Sequence, residues 1–272
     1  MLGQHPDMYG FPELNLFISD TIKGVMKEHL VRPNGADGLL RAIAQLHSGA
    51  QTEENIAQAL EWIEEHEAWT VRECFDHLRN AVAPRIAVDK SPRIAMRLEY
   101  LDRLYEAYPK ASFLHLLRHP RSMCMSTRDF LKENEHLLGS FDSESINPEN
   151  MWIRANENIM DFCATLPLGQ CMQIKGESLL SEPRVYLPQI AEWLDVRTDK
   201  DAVEAMLHPE MSPYACIGPA SARYGNDPDF LQNPAFREGG VKEPELEGKL
   251  EWAPDQEFSR KTLKLAREFG YR

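Results

Sequence analysis

Apolar positions recur at helical spacing along most of the chain. In residues 52–66 (TEENIAQALEWIEEH), Ile56, Leu60 and Ile63 fall on one face, and acidic residues fill the first turn, where they favour a helix start. Residues 70–82 repeat the arrangement with Val71, Cys74, Phe75 and Leu78, and Pro84 then stops it. Residues 92–108 present Met96, Leu98, Leu101 and Leu104 in the same way, and 151–166, 183–194 and 202–207 complete the predicted helices. Short apolar runs at 85–90, 113–117 and 170–175 are bounded by charged or turn residues, as buried strands of a parallel sheet are. The order strand (85–90), helix (92–108), strand (113–117) reads as a β-α-β unit with a right-handed crossover. The pattern therefore predicts an α/β fold, a parallel sheet flanked by helices.

From residue 212 to about 256 the periodicity fades, and Pro, Gly and Asn become dense. A stretch this long without regular structure is either functional or disordered. Its aromatic residues, Tyr214, Tyr224, Phe230 and Phe236, argue against free disorder.

Composition narrows the class. The 272 residues are 43% hydrophobic and 27% charged, ordinary values for one globular α/β domain. No apolar run reaches the length of a membrane span, and the N-terminus carries no signal-peptide core. The five cysteines are scattered and form no CxxC pair, so neither a zinc site nor a disulfide framework is expected, and a reducing cytoplasm is the default. A net charge of −13 disfavours nucleic acid and polyanionic glycans as partners, although a local basic cluster can still hold a small anion.

Such a cluster follows the second apolar run, in Phe113-Leu-His-Leu-Leu-Arg-His-Pro-Arg-Ser-Met-Cys-Met-Ser126. Pro120 suits the first turn of a helix, where its missing N–H costs nothing. Arg118 then stands at the carboxyl end of a strand, the edge at which open α/β sheets bind ligands. Arg118, Ser126 and the free N–H groups of the helix can converge there on an anion, most naturally a phosphate. Arg121 and Arg128 flank this turn.

Arg118-x-Pro120, with Ser126 eight residues after the arginine, resembles the 3′-phosphate-binding motif of sulfotransferases, which take the sulfuryl group from PAPS (3′-phosphoadenosine 5′-phosphosulfate). Other segments resemble the same family in the same order. Gln4-His-Pro-Asp-Met-Tyr-Gly-Phe-Pro-Glu-Leu14 is similar to the stretch after the family's first helix, and Val88-Asp-Lys-Ser-Pro92 to its DKSP/EKTP turn. Lys175-Gly-Glu-Ser-Leu-Leu-Ser-Glu-Pro183 is similar to its RGEDLLxxP strand-to-helix segment, with Gly176 standing where cytosolic relatives have a tyrosine near the adenine. The resemblance implies a P-loop NTPase-like, three-layer fold in a single domain over residues 1–272. The family's 5′-phosphosulfate loop, roughly Pro-x-Ser-Gly-Thr-Thr, has no counterpart in the sequence. The expectation is therefore a domain without its first strand and P-loop, either truncated or naturally lacking them.

The resemblance also implies roles. PAPS, or its product PAP, would be the co-substrate, with no metal, and the acceptor a hydroxyl on a small molecule or a carrier-bound group. Arg118 and Ser126 would hold the 3′-phosphate, with Arg121 nearby, and the loop at 220–226, including Tyr224 and Gly225, would cover the nucleotide. Glu13 would be the base, the competing reading being a cap for a helix over 14–28. Lys90 would neutralise charge near the transferring group. His119 reads as a brace for the turn and His5 as structural, with His5 next in line as base. Trp62, Trp152 and Trp193 read as core, and residues 34–48 and 129–150 as the frame of the acceptor pocket. A non-catalytic binding protein of the same fold and a related phosphotransferase are the alternatives, the latter lacking its Gly-x-x-x-x-Gly-Lys-Ser/Thr loop here.

Overall fold

A computed structural model describes residues 1–30, 35–133, 147–236, 241 and 243–272. In chain order the first elements are β1 (Met8–Gly10), α1 (Ile22–Leu30), α2 (Asp37–Ser48), α3 (Glu53–Glu65), α4 (Val71–Ala81) and β2 (Ile86–Val88). After them come α5 (Leu98–Ala107), β3 (Phe113–Leu117), α6 (Pro120–Glu133), α7 (Pro148–Thr165), β4 (Cys171–Lys175) and α8 (Gly176–Ser181). The chain ends with α9 (Pro183–Trp193), α10 (Lys200–Met206), α11 (Pro228–Gln232) and α12 (Arg260–Glu268). They divide between two compact units, one of Met1–Ile94 with Pro183–Arg237, the other of Ala95–Glu182 with Glu238–Arg272. Each unit combines a short parallel strand pair with flanking helices, the α/β class expected.

In the first unit β1 and β2 pair in parallel, Met8 opposite Ile86 and Gly10 opposite Val88. Capping fixes the helices between them. Thr52 accepts from the Asn55 N–H at the start of α3, and Thr70 forms a full capping box with Glu73 at the start of α4. The buried side is Ile56, Ala59 and Ile63 on α3, with Val71, Cys74, Phe75 and Leu78 on α4. Leu60, expected on that face, is 39% exposed, because the true 3.6-residue period carries the stripe through Ala59. Phe75 lies edge-on to Phe17 at 5.8 Å and tilted to Phe11 at 6.2 Å, which joins the N-terminal segment to α4.

In the second unit β3 and β4 pair in parallel over five residues, Phe113 opposite Cys171 and Leu117 opposite Lys175. The β-α-β unit thus closes between β3 and β4, while the strand at 86–88 takes its ladder from β1. Two further expectations are corrected here. The helix read over 92–108 is a short 3₁₀ segment, Pro92–Met96, and then α5, separated by Arg97 in an extended conformation. Cys163, near the end of α7, is disulfide-bonded to Cys171, the first residue of β4, with 6.0 Å between their Cα atoms. The core of this unit gathers Leu117, Cys124, Trp152, Ile153, Leu246, Phe258 and Tyr271, so the end of the chain, including α12, is part of it.

Phe162 of α7 is 2% exposed and touches the rings of Phe113 at 4.8 Å and Tyr105 at 6.0 Å, joining α7 to both β3 and α5. Phe162→Ala should lower unfolding free energy by about 3–5 kcal/mol, the usual cost of emptying a buried aromatic site. Phe162→Leu should lose less than half of that. Denaturant midpoints at unchanged slope are the measurement.

Candidate active site

Glu13 is held by its backbone from two directions. Its N–H donates to the Gly225 carbonyl at 2.7 Å. The next two residues are gripped by the turn after β2: the Leu14 N–H reaches Asp89 Oδ1 at 3.3 Å, and the Asn15 N–H reaches Ser91 Oγ at 2.9 Å. Ser91 Oγ in turn donates to the Asp89 carboxylate at 2.9 Å. Asn15 takes a left-handed φ of 49°, and this turns the chain away directly after the glutamate. The first helical turn after it, the 3₁₀ segment Leu16–Ile18, has Asn15 at its N-cap, and α1 starts only at Ile22, so Glu13 caps neither. Its carboxylate instead contacts the Lys90 ammonium, which projects from the same Asp89-Lys-Ser turn. In the motif Asp89-Lys-Ser91 the outer residues fasten the backbone of residues 14 and 15, and the middle one meets the Glu13 side chain.

The Gly225 side of this grip is built on α2. Asp37 and Arg41, which sequence reasoning missed, are both buried. Asp37 Oδ2 accepts the Tyr224 N–H at 2.8 Å, and Arg41 donates to the Tyr224 carbonyl at 2.6 Å. The remaining Arg41 donors go to Gln51 Oε1 at 2.5 Å, the Cys216 carbonyl at 2.9 Å and the Tyr214 carbonyl at 3.5 Å. Gly225 has φ +97°, and a Cβ there would lie 2.7 Å from the Gly38 Cα, so loop and helix touch backbone to backbone. Four residues picked from sequence, Glu13, Lys90, Tyr224 and Gly225, therefore come together in the first unit. Tyr224 and Gly225 do so through their backbone, as supports of Glu13. A buried Arg and Asp at i and i+4 on a helix start is the signal that could have exposed the clamp.

Burial pushes the Asp89 carboxyl up to about 6, desolvation outweighing the hydrogen bonds from Ser91 and Leu14. The nearby Glu13 charge adds to the rise, and Lys90 opposes it.

The second unit carries the anion corner. Helix α6 begins at Pro120, directly after the β3 turn, as the sequence predicts. The Trp152 indole N–H donates to the Arg118 carbonyl at 2.9 Å and fixes its backbone. The Arg118 guanidinium is exposed and has no partner among the described residues. Ser126 is half-buried, six residues into α6 and so about 9 Å along its axis. His119 braces the turn: its N–H donates to Glu177 Oε1 at 2.7 Å, and its Nδ1 accepts the Arg121 N–H at 3.1 Å. Glu177 also accepts from the Tyr271 hydroxyl at 3.0 Å. Gly176 packs closely beside it, since a Cβ there would stand 3.0 Å from the Leu117 carbonyl, a tight contact.

Arg121 does not face a ligand. It is 4% exposed, and all five of its N–H donors are taken, by the carbonyls of Glu245, Glu247, Gly248 and Lys249 and by the Glu251 carboxylate. Its place one turn from Arg118 suggested a phosphate ligand, but burial converts it into an anchor for the 245–251 segment. His5 is buried too, bonded to the Arg197 carbonyl at 2.8 Å and the Asp7 N–H at 3.0 Å, a structural residue as expected.

The sulfotransferase family profile matches residues 1–200, and the chain belongs to that family. The sulfotransferase domain from the curacin biosynthetic pathway superposes with a TM-score of 0.74 at 23% identity, covering 100% of this chain and 91% of that one. The sulfotransferase domain from the Synechococcus PCC 7002 olefin synthase gives 0.74 at 25% identity, covering 100% and 88%. No curated protein sequence shows significant similarity. The profile match takes in Glu13, Lys90, Arg118 and Ser126 and stops short of Tyr224 and Gly225.

The raised Asp89 pKa has a definite sign in stability. Between its ordinary value near 3.9 and about 6 the folded state binds the extra proton, so this residue's contribution is lost as pH rises through about 6. Relative to Asp89→Asn, the wild type should lose about 1 kcal/mol of stability between pH 5 and pH 7. Denaturant melts of both proteins at the two pH values test it, and parallel losses would contradict the assignment.

Proposed function

We propose that the protein transfers a sulfuryl group from PAPS to a hydroxyl on a small-molecule or carrier-bound acceptor. The contact between Glu13 and Lys90, on a backbone fixed from two sides, carries the reading. Sulfuryl transfer requires a base for the acceptor proton and a cation for the charge that builds as the donor bond breaks. Glu13 takes the hydroxyl proton while the acceptor oxygen bonds to sulfur and the sulfur–oxygen bond to the phosphate breaks, releasing PAP. The Lys90 ammonium neutralises charge on the transferring group and keeps the carboxylate oriented between turnovers.

Arg118 and Ser126 supply the nucleotide anchor. The donor set fits a phosphate: one guanidinium with its forked N–H groups unoccupied among the described residues, and one hydroxyl on the following helix. The family match supports sulfuryl transfer in general, and the choice of PAPS rests on this pair, because a 3′-phosphate is what separates PAP from AMP.

Calorimetry should show adenosine 3′,5′-bisphosphate binding more tightly than AMP. Arg118→Ala should weaken the bisphosphate about 10- to 100-fold, the equivalent of one charge-assisted hydrogen bond of about 1.5–3 kcal/mol, and leave AMP nearly unchanged. Equal affinity for the two nucleotides in the wild type would remove PAPS from the proposal.

Glu13→Gln separates base from scaffold. The amide retains the shape and the backbone bonds but cannot take a proton, so turnover should fall by about 10²–10⁴ with nucleotide affinity unchanged. Normal turnover in that variant would end the base assignment, and wild-type nucleotide binding without any turnover on hydroxyl acceptors would favour a binding protein.

A further inference from the structure

The α2–α4 face of the first unit carries a cluster that neither Glu13 nor Arg118 draws on. His47, in the last turn of α2, and His77, on α4, meet Nε2 to Nε2 at 2.8 Å, their rings perpendicular and their centroids 5.1 Å apart. Trp62 of α3 lies against both, 5.4 Å from the His47 ring and 4.8 Å from the His77 ring. His66 stacks on the same indole at 4.3 Å, its Nδ1–H donating to the Trp62 carbonyl. Trp62, expected in the core, is thus the half-buried floor of a surface group of three imidazoles.

We propose that His47 and His77 form a two-imidazole clip for a borderline divalent transition-metal ion, with water completing the coordination. Distance is the first argument. Two imidazole nitrogens bound to one ion at ~2.1 Å are about 3.0–3.4 Å apart, a few tenths of an ångström beyond the spacing already present. A modest tilt of each ring turns both lone pairs onto a common point.

Proton balance is the second. An N–H···N contact requires one of the two rings to offer its Nε2 lone pair to the other, so the pair already presents a ligand-type nitrogen. The ring now donating moves its proton from Nε2 to Nδ1 as the metal takes the lone pair, so no proton is released. Neither Nδ1 has a protein partner among the described residues, so water can accept that hydrogen bond.

The scaffold is the third. His77 lies between Cys74 and Leu78, both fully buried, and α2 ends at His47 and Ser48 with Gly49 as a left-handed cap at φ 73°. Rigid helices hold both rings before any ion arrives. Imidazole suits nickel, copper and zinc, with copper the tightest of the three. Among the described residues no cluster of three His, Cys, Asp or Glu side chains is placed to hold an ion, so two protein ligands set the affinity. It should fall in the micromolar to sub-millimolar range, weaker than a four-ligand structural site. The ion would tie α2 to α4 and has no part in group transfer.

The test is titration of the full chain with nickel chloride, reading tryptophan emission and melting temperature. An open-shell ion so near Trp62 should quench part of the emission saturably at one equivalent, and the melting temperature should rise with metal concentration by mass action. His47→Gln and His77→Gln should each move the midpoint at least about tenfold higher and abolish the thermal shift, while melting like the wild type in EDTA. If one variant loses its fold by circular dichroism, the other decides, since each removes one ligand. A variant titration that superimposes on the wild type, or wild-type quenching that rises linearly without saturation, would overturn the proposal.

Discussion

A charged side chain taken out of water must have every donor matched, and two buried guanidinium groups impose that condition on the least regular part of the chain. Arg41 is fully buried and holds the carbonyls of Tyr214, Cys216 and Tyr224. Arg121 does the same for the carbonyls of residues 245–249. Carbonyls in a Pro- and Gly-rich stretch have no ladder or helix to pair with, and the arginines fill that gap. The stretch from 212 to 256 is therefore two fastened segments, one in each unit, where periodicity alone suggested one long loop. The stability such a buried charge adds is small on balance. Its effect is specificity, because any other path for these segments would strand a cation.

Glu13 inherits its position from this. Arg41 and Asp37 fix Tyr224, the adjoining Gly225 carbonyl takes the Glu13 N–H, and the Asp89–Ser91 turn takes the next two N–H groups. A carboxylate on such a backbone keeps its place without help from substrate, which is the preorganisation a general base requires. The glycine contact between Gly38 and Gly225 lets the loop approach closely enough for this to work.

Much of the architecture was legible because periodicity and capping agree. Thr52, Thr70 and Asn147 cap helices that also have clear apolar stripes, and Phe113–Leu117 followed by Pro120 marks a strand and a helix start without ambiguity. The misses have equally local causes. Met8–Gly10 is three residues long, too short for any period, and becomes a strand only because Ile86–Val88 offers a ladder. Helix α12 buries only Thr262, Leu265 and Ala266 in a run dominated by charge. Cys163 and Cys171 lie eight residues apart across a helix end and a turn, a spacing that says nothing about pairing until the turn is known. Arg121 and Arg118 are alike in sequence, and burial alone separates anchor from candidate ligand. Glu13 and Lys90 were found through the family resemblance, whereas Asp37 and Arg41, which hold the Tyr224–Gly225 support of Glu13, match no motif.

Two carboxylates, Glu13 and Asp89, flank one ammonium, and the proposed base role suits only one of them. Asp89 accepts the Ser91 hydroxyl and the Leu14 N–H, and desolvation raises its pKa to about 6. Its oxygens are already committed to the grip on residues 14 and 15. Glu13 has the opposite circumstances. Its side chain is 25% exposed, its backbone alone carries the structural bonds, and its one side-chain partner among the described residues is the 59% exposed Lys90. In the proposed reaction the flexible ammonium would swing toward the developing negative charge as the carboxylate takes a proton, with no structural bond of the fold broken. The same turn thus separates two roles that a pair of acids could have shared: Asp89 holds the chain, and Glu13 is left available for the base role proposed for it.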